Sequence, residues 1–580
     1  MSLLFENTGL WRRTLASQSN DPHQHARQRL SSALLNMRDH AAELVKLIPN
    51  DCKNLTVHDV SHLDALWEMA DLIAGPAFEI NPAEAFVFGA AALTHDAGMS
   101  IASYPAGIEE LKKTTEWRDA SFSTCRRAGI PPTEDIVHAP PITLLPDILF
   151  NVLRALHAKH AEELVFVTWP VPSTGETVRL LEDLQLRTSY GRTIGRIAHS
   201  HHWNIERVVQ QLRNSVGAAA DLPQEWEVDE IKLACLLRCA DASHIDHRRA
   251  PSMLYALLNP SGAGAIHWNF QNKLNKPTIS SGVLTYSSGE HFKQEDAQAW
   301  WLCFDTIKMI NKELQDSNAV LQDNSSPPLA AKRVYGAEGP SILARQVQVD
   351  GWRPVDAEIR VSDPVHLAKT LGGKNLYGDS IFAPVRELLQ NAVDAVRARR
   401  KIENRPDNWG LIKLTVEEIK TASASEYKLH VDDNGIGMSE RTLVGPLLDF
   451  GNSFWNSSAL REEWPGLESS GLLPIGKFGI GFFSIFVLGE QVAVASRRYD
   501  AAAADTRVLE FSSIVRRPLL RDARPNELPA DFNTRISVRI LDEERDEEVE
   551  LDDVPRVNQG ENPATIRMRM RRCWGDEGRA

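Results

Sequence analysis

Apolar residues recur at three- and four-residue spacing through most of the first 250 residues, in segments such as DALWEMADLIAG, AFVFGAAALTHDAG, ILFNVLRALHAKHAEELV and EIKLACLLRCADASHID. That spacing gathers them on one face of a helix, so the stretch from about Arg27 to Arg249 is predicted to be all-helical. Between Ala250 and Gly289 the periodicity lapses, and NPSGAGAIHWNFQNKLNKPTISSGVLTYSSG alternates β-type runs with Gly, Pro and Ser. A small strand-bearing appendage is expected there. A helix over EDAQAWWLCFDTIKMINKELQ follows, and then the polar run DSNAVLQDNSSPPLAAK, whose Ser and Pro content reads as a linker and the main boundary. Beyond it helix and strand signals alternate as far as NTRISVRIL, before the charged DEERDEEVELDDVPR. The expected organisation is a helical domain over 27–255, an appendage with helix and linker over 256–335, a mixed α and β domain over 336–545 and a charged tail over 546–580.

Composition narrows the setting. A chain of 580 residues is too long for one core, and its 43% hydrophobic and 24% charged residues are those of an ordinary globular protein. Apolar stretches fall short of a membrane span, and MSLLFENTGLWRRTLASQSN lacks the basic start, apolar core and cleavage site of a secretory signal, so a cytoplasmic protein is expected. Six cysteines without a CxxC pair fit reduced, structural thiols. The formal charge of -14 speaks against a generally basic surface, which leaves nucleic acid as a substrate only.

In VRELLQNAVDAVRARR, Glu387, Asn391 and Asp394 fall at i, i+4 and i+7 and share one helix face. Downstream, KLHVDDNGIGMS is a strand entering an Asp-x-Gly-x-Gly turn, and PIGKFGIGFFSIF sets glycines 476, 479 and 481 before an apolar helix. Such glycines let backbone amides approach phosphates at a helix N-terminus. In this order and spacing the three segments resemble the GHKL ATPase superfamily of gyrases, ninety-kilodalton heat-shock chaperones, histidine kinases and MutL-type repair proteins. The phrase IGKFGIGFFSIFVLGEQVAVASR is similar to the chaperone branch, and the resemblance covers Leu376 to Leu541. It implies an α/β sandwich that binds ATP and Mg2+. By motif position Glu387 would be the general base that orients the attacking water, and Asn391 would hold magnesium. Asp433 would accept from the adenine amino group, beside Gly435, Gly437 and Met438. Asp394 would support the pocket, and Thr534 would lie near the adenine. Gly476, Lys477, Phe478, Gly479, Ile480 and Gly481 would form the phosphate-facing lid. The chaperones carry further domains for which the residues after Thr534 are too few, so ATP binding is expected ahead of rapid turnover.

Histidines mark the helical half, in VHDVSHLDALW, ALTHDAGMS, ALHAKHAEEL, RIAHSHHWN and RCADASHIDHRRAP. The His95-Asp96 doublet ends an apolar helix, and imidazole with carboxylate suits manganese, iron, zinc or magnesium. His62, His95, Asp96 and Asp241, in that order, resemble the H…HD…D signature of the HD phosphohydrolase superfamily, over Arg27 to Pro251. The resemblance implies an all-α, metal-dependent phosphohydrolase domain. His157, His201 and His202 resemble the additional histidines that bind a second metal in some HD enzymes, with His160 and His199 as alternatives. His58, one turn before His62, is the candidate general acid.

The expectation is therefore a multidomain chain, an all-α HD domain followed by a GHKL ATPase domain, in which an ATP-driven switch is coupled to hydrolysis of a nucleotide or phosphodiester. The pairing is similar to architectures of bacterial conflict systems, including phage defence. A chaperone-like scaffold whose HD domain only senses a nucleotide, and a nucleic-acid remodeller, are the rival readings. A homodimer through the ATPase domain is expected from the resemblance.

Overall fold

The computed structural model describes residues 4–355, 383–420, 425–476, 479–513 and 516–540. The chain divides into two compact units, Met1–Glu358 and Ile359–Ala580. Lys477, Phe478 and the tail over 546–580 lie outside the described residues.

The first unit is built on helices α1 (Gln24–Val45), α2 (Val60–Ala74), α3 (Pro82–Thr94), α4 (Leu145–Leu164), α5 (Leu184–Ser200), α6 (Glu230–Ser243), α7 (Gly262–Lys273) and α8 (Ala297–Asp323). Helix α3 is the hub. Every one of its residues is buried, as its sequence, apolar but for Glu84 and Thr94, requires. Its start is fixed by a reciprocal cap in which the Asn81 side chain accepts from Glu84 N and the Glu84 carboxylate accepts from Asn81 N. The same buried carboxylate meets Lys232 of α6 at 2.7 Å. Thr193 of α5 donates to Glu230 at the start of α6 at 2.9 Å. Near the other end of α6, Arg238 pairs with Glu313 of α8 and donates to the carbonyls of Ser200 and Trp203. A buried ion pair or charged hydrogen bond tolerates little sliding, so these contacts set the axial register of α3, α5 and α6. Register decides which side chains meet at the helix ends.

The sequence expectation for residues 256–335 holds only in part. Strands β1 (Thr278–Ser280) and β2 (Val283–Thr285) form the expected hairpin, joined by β3 (Arg333–Val334). Ahead of them lie a short helix, Ser252–Leu258, and α7, where β-type runs were expected. Tertiary burial of Trp268 and Phe270 outweighs the local Gly and Asn content. The polar run read as a linker is integral to the unit. Helix α8 continues to Asp323 with Leu314, Ser317 and Leu321 turned inward, and Ala330 N and Ala331 N donate to Ala74 O and Ile73 O. The boundary accordingly falls at 358/359 rather than 335/336.

The second unit holds α9 (Ala383–Glu403) and strands β4 (Ile412–Lys420), β5 (Ser425–Asp433), β6 (Val492–Ser496), β7 (Arg507–Phe511), β8 (Leu519–Asp522) and β9 (Thr534–Ile540). The strands form one antiparallel sheet in the order β8-β7-β6-β9-β5-β4. Val385, Leu388 and Ala392 of α9 share a core with Leu429, Val431, Val494 and Val538 of the sheet. This is the expected α/β sandwich. In the central strand Thr534 is opposite Asp433 on one side and Ser496 on the other, so three polar residues align at one sheet end.

Among the described residues no helix is long and apolar enough to cross a membrane. Cys52, Cys125, Cys235, Cys239 and Cys303 are buried free thiols.

Candidate metal centre and nucleotide site

Helices α2, α3, α4 and α6 and the end of α5 bring the predicted histidines and aspartates of the first unit together. His62 lies in the first turn of α2, which begins at Asp59 with the Asp59 carboxylate accepting from Ser61 N. His95 is the C-cap of α3, and Asp96 opens the turn beyond it. One ligand atom each from His62, His95, Asp96 and Asp241 falls within 4.8 Å of the others, and the same holds for His157, His201 and His202. Asp96 connects the two groups. Its Oδ2 is 3.6 Å from His62 Nε2 and 3.1 Å from His95 Nε2, while Oδ1 is 3.6 Å from His157 Nε2 and 3.9 Å from His201 Nε2. Asp241 Oδ1 closes the first group at 3.4 Å from His62 and 3.6 Å from His95.

The rings are oriented by the helices that carry them. Nδ1 of His95, His157 and His201 sits 2.9, 2.8 and 2.5 Å from the carbonyl three residues earlier, at Ala92, Arg154 and Ala198. A carbonyl can only accept, so each Nδ1 carries a proton and each Nε2 is turned into the cluster. His95 Nε2 is buried and makes no well-formed hydrogen bond. Burial opposes ionisation of Asp96, yet His95 and His62 outweigh it and hold the carboxyl well below its usual range. Burial opposes a charge on His95, yet the Asp96 and Asp241 carboxylates outweigh it and raise its imidazole well above the usual range. A divalent cation would replace the His95 Nε2 proton in a donor set of imidazoles and ionised carboxylates that fits such a cation. Gly98 permits the approach of α4, because a Cβ there would lie 2.7 Å from the His157 carbonyl oxygen.

The two alternatives are turned elsewhere. His160 Nε2 is 3.0 Å from Ser103 O with its ring stacked on Tyr104, and His199 Nδ1 is 2.6 Å from Glu162. His58 lies beside the cluster, with Nε2 4.0 Å from Asp96 Oδ2. Its Nδ1 faces Thr56 O at 2.5 Å and its Nε2 accepts from Arg249 at 2.8 Å. Burial, then the Arg249 guanidinium, push its imidazole down to about 3, so His58 is held neutral here. Two neighbours escaped the sequence reading although RCADASHIDHRRAP contains both. His244 stacks on His62 with Nδ1 atoms 2.9 Å apart, and Arg249 touches both His58 and His62.

In the second unit a cavity of about 830 Å³ is lined by Glu387, Asn391, Asp433, Gly437, Met438, Gly476, Gly479, Ile480, Gly481 and Thr534. Asp394 and Gly435 stand behind the wall. The buried Asp394 carboxylate accepts from Ile475 N and Gly476 N at 2.8 and 2.9 Å, tying the start of the glycine run to α9. Gly435 lies against α9 and donates from its N–H to Asp433 Oδ1 at 2.9 Å. At Gly437 the backbone has φ +67°, and a Cβ would lie 1.8 Å from Arg497 O. The apolar segment after the glycine run is a 3-10 helix, Gly481–Val487. Asp433 is buried and, chiefly through desolvation, its carboxyl is raised to about 7. Ser496, not foreseen, braces this corner by donating to Asn533 O, meeting Thr534 Oγ1 at 2.9 Å and accepting from Met438 N. Phe450, Phe454 and Trp455 add an aromatic side to the cavity that no motif announced.

Fold and sites together define a two-module protein, a helical unit with a histidine-aspartate cluster and a sandwich with a glycine-bordered nucleotide cavity. Residues 52–316 match the family HD-CE, and residues 380–531 match the histidine kinase-, DNA gyrase B- and HSP90-like ATPase family. The chain carries an HD-CE domain followed by a GHKL ATPase domain of the HSP90-like kind. Among similar proteins are the chaperone protein HtpG of Nitrobacter winogradskyi, 39% identical over 122 residues (21% of this chain, 19% of the relative), and HtpG of a Wolbachia from Brugia malayi, 36% identical over 120 (20% and 18%). The mitochondrial 75 kDa heat shock protein of Bos taurus is 31% identical over 141 residues (24% and 19%). The chain thus spans about a fifth of the length of the curated relatives it matches. A GHKL domain implies ATP and Mg2+, and an HD domain implies divalent metal.

Proposed function

We propose that this protein couples an ATP-binding, HSP90-like switch to a metal-dependent phosphohydrolase that acts on a nucleotide or phosphodiester. The observation that carries the reading is Asp96, whose two carboxylate oxygens face two separate sets of imidazole Nε2 atoms. His62, His95, Asp96 and Asp241 would hold one cation, and His157, His201 and His202, with Asp96 between, a second. Bound divalent metal supplies Lewis acidity and an ionised water at neutral pH. The chain's own residues orient and handle protons. The helix carbonyls orient the ligand rings, and His58, once Arg249 leaves its Nε2, would take up a proton there from solvent water and pass it to the leaving oxygen. In the second unit Glu387 orients the water that attacks ATP, Asn391 holds Mg2+, Asp433 accepts from the adenine amino group, and the segment from Gly476 to Gly481 covers the phosphates. ATP-dependent closure of the second module would gate the first. The proposed setting is the bacterial cytoplasm, in a conflict or defence system, with a homodimer formed through the ATPase domain.

The test is phosphate or nucleoside release from a panel of nucleotides, cyclic nucleotides and oligonucleotides with Mn2+, for native protein, Asp96→Ala and Glu387→Ala. Release from a panel member that Asp96→Ala abolishes is expected, and its response to Glu387→Ala reports the gating. Slow, Glu387-dependent ATP hydrolysis with no other turnover would overturn the phosphohydrolase reading in favour of a nucleotide-sensing scaffold.

A further inference from the structure

The two arginines that follow Asp246 are used in opposite ways. Arg248 is neutralised by Asp246 and Glu68, each at 2.8 Å. Arg249 turns inward, is 8% exposed, and forms no ion pair among the described residues. Its Nη1 lies on the edge of His62, 2.7 Å from Nδ1 and 3.0 Å from Nε2, its Nη2 donates to His58 Nε2 at 2.8 Å, and its Nε has no hydrogen-bond partner. Its main chain is pinned beside His58, since Val57 N donates to Arg249 O at 2.7 Å. A permanent cation, buried against imidazole rings, near the Asp241 and Asp96 carboxylates but in hydrogen-bond contact with none, and with a donor to spare, can take a further anion.

A second arginine stands on the helix that carries His157, and its charge reaches the same His267 as that of Arg249. Arg154 lies one turn before His157 on α4, its carbonyl receiving the His157 Nδ1 proton at 2.8 Å. Its side chain is exposed and forms no ion pair among the described residues. His267 of α7 lies within electrostatic reach of both groups, its pKa lowered by burial and then by Arg154 and Arg249. Guanidinium forks match phosphate oxygens bidentately, and a pair of them outside a metal centre suits a phosphate adjoining the one held at the metals.

We infer that Arg249 and Arg154 form a second anion subsite of the HD domain, which receives a further phosphate of the substrate next to the scissile one. The inference rests on the phosphohydrolase reading of the metal centre and makes the arginines specificity residues. Arg249 then exchanges His58 for the substrate's phosphate.

The test titrates orthophosphate and pyrophosphate calorimetrically into the full chain loaded with Mn2+, using native protein, Arg249→Lys and Arg154→Ala. Native protein should bind pyrophosphate about tenfold more tightly than orthophosphate, and each variant should lose most of that preference, to about threefold or less, with Mn2+ stoichiometry unchanged in Arg154→Ala. Equal native affinity for the two anions, or a preference that survives both substitutions, overturns the subsite. Pyrophosphate bound in the nucleotide cavity belongs to the second outcome, because neither substitution touches that cavity. Arg154 is exposed, so its variant reports even where Arg249→Lys fails to fold. Anion binding needs no turnover, so failure of hydrolysis with Asp96 intact is a separate result.

Discussion

Asp433 offers the sharpest quantitative test of the nucleotide cavity. It is buried at the end of β5 opposite Thr534, and its carboxyl is raised from 3.8 to about 7. Between those values the folded unit keeps a proton that the unfolded chain has released, so the stability of the ligand-free unit falls as pH rises through that window. An adenine amino group donating to Asp433 stabilises the carboxylate and lowers the pKa again. Binding therefore releases a proton near neutrality and weakens as pH falls below the ligand-free pKa. One unit below it only about a tenth of the sites are ionised, which costs about tenfold in affinity, or about 1.4 kcal/mol. Adenosine is the proper ligand, because it has no phosphate to titrate. Calorimetry from pH 8 to pH 5.5, repeated in buffers of different ionisation enthalpy, should show affinity declining below about pH 7 and about half a proton released at that pH. In Asp433→Asn the decline should vanish, since the amide accepts without titrating. Affinity that stays flat or rises on acidification in the native protein would refute the adenine contact and the burial argument together.

Gly98→Ala forces a Cβ against the His157 carbonyl, so α4 must shift at a cost of about 1–3 kcal/mol. Bound Mn2+, counted by atomic emission, should fall from two per chain to one, with the group around Asp241 retained. Gly437→Ala combines a left-handed backbone with overlap on Arg497 O, and the second unit should lose about 3 kcal/mol in a thermal melt while the first is unchanged. Asp394→Asn leaves one good acceptor for two backbone N–H groups. Hydrogen exchange at Ile475 and Gly476 should accelerate, and ATP should bind about tenfold more weakly.

The sandwich and its cavity were legible because their chemistry is local in sequence. Glu387, Asn391 and Asp394 share a helix, and each glycine run is continuous. The clustered histidines and aspartates were legible as residue types, and the fold supplied what spacing could not. Which of the histidines from 157 to 202 enter the cluster depends on how α4 and α5 cross, and this separated His157, His201 and His202 from His160 and His199. Arg249 and His244 passed unread because a basic residue after a helix is ordinarily a solvated C-terminal charge. Their partners lie about 180 residues away, beyond any local pattern. The linker was misread for the converse reason, because polar composition hid the inward spacing of Leu314, Ser317 and Leu321.

The ring-orienting carbonyls of Ala92, Arg154 and Ala198 bear on how this centre withstands genetic drift. Peptide oxygens are encoded by no codon in particular, so the orientation of His95, His157 and His201 survives almost any replacement at the residues that secure it. His62 alone leans on side chains, with His244 and Arg249 at its Nδ1. If the centre acts as proposed, its mutational fragility beyond the candidate ligands is concentrated in the segment from 244 to 249, and an evolving lineage would detune it by changing those residues first.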